Sequence, residues 1–440
     1  MNAVGRPVED KAPDSYGSAP YRWYVLGVLA MVYACHSIDR GIPNILLEPI
    51  RHEFHLNDKE LGLFSGLGYA LSFSLAILPM GFISDRSNRR NFLAVILCAW
   101  SLFTALGGFV TNYAQLIAAR IGVGAAESGG APVALPMISD VFPAHRRGSA
   151  MGVLYVGNAF GVLVAGVVGG LIAAHFGWRA AFFVAGGPGI LLAVLLLTTV
   201  KEPRRGASEF GPSAHALQPA PPPRLREVFS FLIAAPGLIC LIAGCALLGM
   251  VAITLAAWLG SFFIRIHHLN LKQVGLILGL GGSLGGMISP VVFGWLTDRV
   301  TSFSARGPLL LVAVGALLSL ACGATMLFTS SVPLAIAALM LGDLFRIGYA
   351  PPCYSVLMNF TPPPLRGSVM SIMQLTTNVV GFGLGPLIVG ALSDLYGGPT
   401  ALRYAMASAL SLLVLAAALL AVSAGLLYGR PRPVRSGLRH

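Results

Sequence analysis

Three pairs of opposite charge lie inside long apolar runs of this chain: Asp39 with Arg40, Arg120 with Glu127, and Asp343 with Arg346. Arg120 and Glu127 are seven residues apart, so on a helix they share one face, with Gly124 between them. Asp343 and Arg346 stand at i and i+3 and can satisfy each other. Asp39 and Arg40 are adjacent and point about 100° apart, so they address different neighbours. An ionised side chain at mid-bilayer costs roughly 2.5–3.5 kcal/mol even on a lenient insertion scale, so such groups face a bundle interior or a wet cavity. Two readings follow. The pairs staple helices together, or they line a transport path in which a buried carboxylate exchanges a proton. On the second reading Asp39, Glu127 and Arg120 form the proton-coupling group, and Arg40 holds an anionic headgroup.

Polar stripes at helical spacing extend this set. Tyr33, Ser37, Arg40 and Asn44 share a face, as do Tyr155 with Asn158, and Gln374 with Thr377 and Asn378. A further stripe runs through Thr254, Trp258, Ser261 and Arg265. Each alone is accounted for by interhelical hydrogen bonding. Together they outline a central cavity whose substrate contacts are Arg40, Tyr33, Ser37, Tyr155, Asn158, Trp258, Arg346, Gln374 and Asn378.

These residues need a membrane-embedded scaffold. The chain is 56% hydrophobic and 10% charged, against about 25% charged in soluble proteins. Its mean hydropathy is +0.78. Apolar runs long enough to cross about 30 Å of hydrocarbon fall near 22–46, 60–83, 91–110, 113–139, 148–174 and 179–200. A second set falls near 235–264, 272–297, 307–329, 333–359, 367–392 and 400–427. The expected organisation is a tail at 1–21, a six-helix bundle at 22–200, a Pro-rich linker at 201–228, a second bundle at 229–428 and a basic tail at 429–440. Residues 1–20 are polar and carry no apolar signal stretch.

The two sets echo each other. Ala131-Pro132 recurs as Ala350-Pro351, and Arg147-Gly148-Ser149 as Arg366-Gly367-Ser368, both 219 residues later. The stretch from Gly81 to Arg86 returns at Gly294 to Arg299, 213 residues on. Repeated bundles with a site at their interface are a transporter pattern. At the 219-residue offset Glu127 maps onto Arg346, so one half presents an acid where the other presents a base.

The formal charge of +12 would suggest nucleic acid in a soluble protein. Here the basic residues sit in short loops, which reads as topology and contact with anionic lipid, without nucleic acid. With the termini inside, six of the 29 Lys and Arg residues fall outside (Arg51, Lys59, Arg179, Arg265, Lys272, Arg403) and three within spans (Arg40, Arg120, Arg346). The remainder lie on the inner side, which places both termini in the cytoplasm of an inner membrane. The six cysteines all fall in apolar runs, so no disulfide framework is indicated. No zinc spacing, phosphate loop or nucleophile–base pair appears. The expectation is therefore no cofactor, no metal and no enzymatic chemistry.

Gly81-Phe-Ile-Ser-Asp85-Arg86-Ser-Asn-Arg89-Arg90 joins spans 2 and 3. Its glycine permits close helix approach, and its aspartate can pair with a cation or a helix N-terminus, forming a clasp that breaks in another conformation. Gly294 to Asp298 and Arg299 repeat the first half of this pattern. The gating set is thus Gly81, Asp85, Arg86, Arg89, Arg90, Asp298 and Arg299. At this point the chain resembles the major facilitator superfamily, whose signature loop has the form G-x-x-x-D-R-x-x-R-[RK]. That resemblance implies an all-α membrane protein of twelve transmembrane helices in two pseudo-symmetric six-helix bundles, working by alternating access as a monomer. Arg120 with Gly124 is similar to an RxxxG motif associated in that superfamily with proton coupling.

Asp39-Arg40, Arg120 through Glu127 to Pro132, Asp140-x-Phe-Pro with Arg147-Gly148, Gly177-Trp178-Arg179, Pro188-Gly189 and Lys201-Glu-Pro-Arg-Arg-Gly206 resemble the spinster-like branch. His36-Ser37 stands where that branch tends to carry Asn-Tyr, and Ala126 replaces a glycine. The resemblance implies proton-coupled movement of an amphipathic anionic lipid, such as a lysophospholipid or sphingosine phosphate. Symporters of small organic anions share a similar Asp-Arg pair, and a lipid sensor on the same scaffold is the reading from another class.

Overall fold

The computed structural model describes residues 18–142, 144–203 and 225–429. The expected tails and most of the expected linker fall outside the described residues. Among those residues the chain is helical, without strands. Eleven helices are long and apolar enough to cross a membrane. They include Ala19–Ile45, Asp58–Ser84, Arg89–Leu106, Ser149–Phe176 and Trp178–Thr199 in the first half. The twelfth is broken. Its two pieces, Tyr113–Glu127 and Gly130–Val141, are separated by a turn at Ser128–Gly129, immediately after the buried acid.

The second half repeats this plan with Pro236–His267, Leu271–Phe303, Gly307–Phe328, Val332–Phe360, Pro363–Tyr396 and Ala401–Tyr428. Its fourth helix is interrupted too, between Ile347 and Ala350, directly after Arg346. The acid of one half and the base of the other therefore each sit at a helix break.

Local sequence explains the element boundaries. In both halves the second helix begins with His-Leu-Asn, at His55 and at His268. The two histidines take left-handed conformations, with φ of 52° and 55°. Asn57 and Asn270 then build capping boxes with Glu60 and Gln273. Each box satisfies two backbone donors that a helix start leaves open. The Arg-Gly-Ser echo has a similar structural role. Arg147 Nε donates to the Phe142 carbonyl (3.4 Å) and Arg366 Nε to the Thr361 carbonyl (3.1 Å), five residues upstream in both copies. Each arginine closes the C-terminal end of the half-helix before it, where orphan carbonyls and the helix dipole favour a cation.

Tyr21 and Tyr24 bond to Thr199, and Arg306 bonds to Tyr428, so these residues mark one end of the bundle, here the terminal end. The two halves join toward the opposite, distal end. There span 5 meets span 8 along Gly166 and Gly170 against Gly275 and Gly279. A Cβ on Gly166 would collide with the Gly279 backbone, so only glycine permits this approach. Span 2 meets span 11 where Gly390 lies against the Asp58 carbonyl. Gly390→Ala is expected to wedge this contact apart and lower the unfolding temperature, as overpacking costs about 1–3 kcal/mol. An unchanged melting profile would contradict the tightness of this joint.

Candidate functional site

Glu127 is the hub. Its carboxylate is buried, and Oε2 accepts from Tyr69 Oη (2.5 Å) and from Arg40 Nε (3.3 Å). His36 Nε2 lies 3.3 Å from the same oxygen. Oε1 has no hydrogen-bond partner among the described residues. The Arg40 guanidinium is enclosed by three aromatic faces, with Tyr69, Phe73 and Phe382 centroids 5.0, 5.1 and 5.1 Å away. Cation–π contact stabilises such a cation by up to about 2 kcal/mol when it is desolvated. Tyr69 and Phe73 belong to span 2, and Phe382 to span 11 of the other half. The Arg40 side chain is 25% exposed and that of Glu127 is 0%, so the cation reaches open space while the acid does not.

Arg120 lies on the other side of Tyr69, its guanidinium 5.1 Å from the ring and its Nη1 donating to the Asp39 main-chain carbonyl (3.1 Å). Asp39 is 1% exposed, and no ion pair reaches its carboxylate among the described residues. Trp100 and Thr104 of span 3 are its polar neighbours. Adjacency on the helix thus sends Asp39 toward span 3 and Arg40 toward spans 2, 4 and 11. The structure brings together Asp39, Arg40, Arg120 and Glu127 of the expected set and adds Tyr69, Phe382 and His36.

Ser37 donates to Asn158 Oδ1 at 2.6 Å, tying spans 1 and 5. Tyr155 is 69% exposed and lies within electrostatic reach of Tyr33 and of Tyr354, which neighbours Gln374. Tyr33, Tyr155 and Gln374 therefore gather around a space between the halves, while Asn378 lies half-buried at the start of a π-helical stretch in span 11. A matching π-helical turn, Leu63–Leu67, occurs in span 2. The two meet at Gly66, against Phe382 and Gly383, beside the hub. Such turns often mark functional positions because they re-aim side chains. Asp343 and Arg346 form a buried ion pair within span 10, apart from the hub.

Trp258 requires a correction. It was expected to face the cavity, but it is fully buried and its indole Nε1 donates to the Pro386 carbonyl at 3.0 Å. An indole N–H in lipid must find an acceptor, and a carbonyl two residues into the straight part of span 11 supplies it. In this conformation Trp258 fastens spans 7 and 11.

The loop residues Arg89 and Arg90 bind within the first half. Arg89 Nη1 pairs with Asp140 at 2.7 Å, and Glu202 accepts from Arg89 Nε and the Arg90 backbone. Arg299 stacks on Trp295 of its own helix. Among the described residues, Gly81, Arg86 and Asp298 make no hydrogen bond across the halves, and the Asp85 side chain lies outside them. From Leu71 to Ile83 span 2 keeps no fully buried residue, and span 11 is similarly open from Gln374 to Val380.

The distal end is closed by charge. Arg265 at the end of span 7 forms paired bonds to Asp58, both 2.8 Å, and a third to Glu48 at 2.8 Å. Ser393 donates to Asp58, and Asp394 accepts from the Asp58 and Lys59 backbone amides, capping span 2 from the opposite half. The carboxylates of Asp58 and Glu48 are buried. Sequence reading passed over this clasp. Arg265 reads as the tail of a polar stripe and as an external charge, and the signal for the rest is the repeated His-Leu-Asn at the 213-residue offset, with an acid at Asp58 where the other copy has Leu271. Nearby, hydrogen bonds from Arg179 and Trp178 hold the Glu53 carboxyl below its usual range.

A bundle of twelve helices, two repeats, a charged hub at their interface and closure at one end describe a gated path. The model of the Major Facilitator Superfamily matches residues 29–386. The chain belongs to that superfamily. It is 28% identical over 395 residues to an MFS-type efflux pump of Mycolicibacterium smegmatis, covering 90% of this chain and 89% of the relative. It is 27% identical over 393 residues to protein spinster of Drosophila melanogaster, covering 85% of this chain and 62% of that one. Its fold matches the crystal structure of a bacterial homologue of the human lysosomal transporter Spinster, inward-facing and unoccupied, with TM-score 0.81 and 24% identity. That match covers 95% of this chain and 100% of the other. The chain is a member of a transporter superfamily and is similar to spinster proteins within it.

Proposed function

We propose that this protein is a proton-coupled transporter of an amphipathic anion with one acyl or sphingoid chain, working by alternating access, with its terminal end in the cytoplasm. The observation that carries this reading is the Arg40–Glu127 pair. Arg40 is the hub cation that reaches open space, and its counter-charge is a buried acid. A phosphate or carboxylate arriving from the cavity competes with Glu127 for that guanidinium. Once displaced, an ionised Glu127 in a dry site is costly, so it takes up a proton. Substrate and proton therefore bind together. The anion is expected to be amphipathic because the terminal-end parts of spans 2, 5, 8 and 11 expose Leu75, Phe160, Met287 and Leu375, which can accompany a hydrocarbon tail.

The test is thermal stabilisation of the detergent-purified protein by lysophosphatidate and by short organic acids. A ligand that binds only the folded state stabilises by mass action. Lysophosphatidate is expected to raise the unfolding temperature, and Arg40→Ala to lose that shift, since charge-assisted bonds to a cation contribute about 1.5–3 kcal/mol. A shift with short acids alone would replace the lipid with a small organic anion. Equal shifts for the Arg40→Ala and parent proteins would remove Arg40 from the site.

A further inference from the structure

Glu127 has no exposed surface, so a proton cannot reach it directly from the cavity. Its neighbours decide the route. Arg40 keeps its proton at any physiological pH, and Tyr69 is itself 2% exposed. Arg120 sits behind the Tyr69 ring, and Asp39 is buried against span 3. His36 differs from all of these. It lies one helical turn before Arg40, its Nε2 is 3.3 Å from Glu127 Oε2, and its side chain is 22% exposed. Its ring is held edge-on to Trp100 of span 3, with centroids 6.4 Å apart, and tilted against Tyr33, at 6.2 Å. Around His36 the charged and titratable groups are thus Glu127 from span 4, Arg40 and Tyr33 from its own helix, and Tyr69 from span 2 through the shared carboxylate.

We propose that His36 is the proton-entry residue of the hub. The step rests on the proton-coupled reading above and balances without any further group. In the resting state neutral His36 carries its proton on Nε2, directed at the Glu127 carboxylate. A proton from cavity water adds to Nδ1. The imidazolium then passes its Nε2 proton to Glu127 Oε2, breaking N–H and forming O–H, and is left neutral with its proton on Nδ1. Release follows the same steps in reverse, so no ring rotation or tautomer exchange is needed. An imidazole has one nitrogen to face the cavity and one to face the acid, which suits this duty. An asparagine in its place has no titrating nitrogen and cannot perform it.

The experiment uses the full chain in proteoliposomes with radiolabelled lysophosphatidate. Two readings are taken, uptake driven by an imposed pH gradient and exchange of internal for external label without one. His36→Gln and His36→Asn are expected to slow gradient-driven uptake by roughly a hundredfold, the usual contribution of a positioned proton carrier, and to slow exchange far less. The parent's pH profile should show an inflection that both variants lack. Retained stabilisation by lysophosphatidate verifies that the variants are folded. Gradient-driven uptake with the parent rate and pH profile in both variants would overturn the assignment. If the parent itself shows no gradient-driven uptake, the proton-coupled reading fails; if Glu127→Gln loses it and the His36 variants keep it, only the entry role fails.

Discussion

Glu127→Gln is expected to turn the protein from an accumulator into an exchanger. In the parent, one proton carried with each substrate supports an accumulation of about tenfold per unit of pH gradient, because one pH unit corresponds to about 1.36 kcal/mol. The amide oxygen of Gln can still accept from Tyr69 and Arg40, as Oε2 of Glu127 does. It resembles the protonated acid in charge and shape, so the hub should remain packed and able to bind. What it loses is the protonation step. Accumulation in proteoliposomes should therefore fall to the level of simple equilibration at every pH gradient, while exchange of labelled substrate continues. Accumulation that still rises with the pH gradient in this variant would move the coupling role to Asp39, the other buried acid of the hub.

Arg265→Ala carries the second large effect. In the closed distal end Arg265 neutralises two buried carboxylates, Asp58 and Glu48. Arg51 stands farther off, 3.8 Å from Asp58 and 4.0 Å from Glu48, and cannot replace the paired geometry. Removing one partner of a buried ion pair costs about 3–5 kcal/mol, because the remaining charge is left without compensation. This cost falls on the closed state. Opening the distal end lets water solvate both acids and relieves it. The equilibrium between the two states should therefore shift toward distal-open by at least about a hundredfold. Spin labels at Lys59 and Tyr396, placed in a background without the six cysteines, lie on opposite halves of this end. Their distance distribution should move from one short population to a dominant long one. An unchanged distribution in a folded variant would show that glycine packing along spans 5 and 8, and not the clasp, holds the end shut.

The spans were readable in the sequence because the bilayer imposes a length requirement that only long apolar runs meet. Even the broken fourth span was placed, although neither of its pieces reaches the length of an unbroken crossing. That the buried charges would need partners followed from the cost of isolated charge in lipid, but helical spacing set Glu127 beside Arg120, whereas the structure joins it to Arg40. Which aromatic rings would enclose Arg40 did not follow, since Phe382 arrives from the other half, more than three hundred residues along the chain. Trp258 shows the limit of stripe arithmetic. Helical spacing tells which residues share a face, but not whether that face meets a cavity or a neighbouring carbonyl. Arg265 reads in the sequence as a stripe end and an external charge, and Asp58 not at all, because nothing local to either reveals a partner about two hundred residues away. His36 stood out only as a departure from a family pattern, and its role depends on a 3.3 Å contact with a different helix.

The central claim is that substrate and proton are linked through one guanidinium. The most direct test is proton uptake on ligand binding, read with a pH-sensitive dye in weakly buffered detergent solution near neutral pH. Adding lysophosphatidate to the parent protein should draw about one proton from solution per ligand bound, because displacement from Arg40 leaves Glu127 to be neutralised by a proton. Glu127→Gln should bind the lipid and draw none. Binding without proton uptake in the parent, or the same uptake in both proteins, would contradict the account.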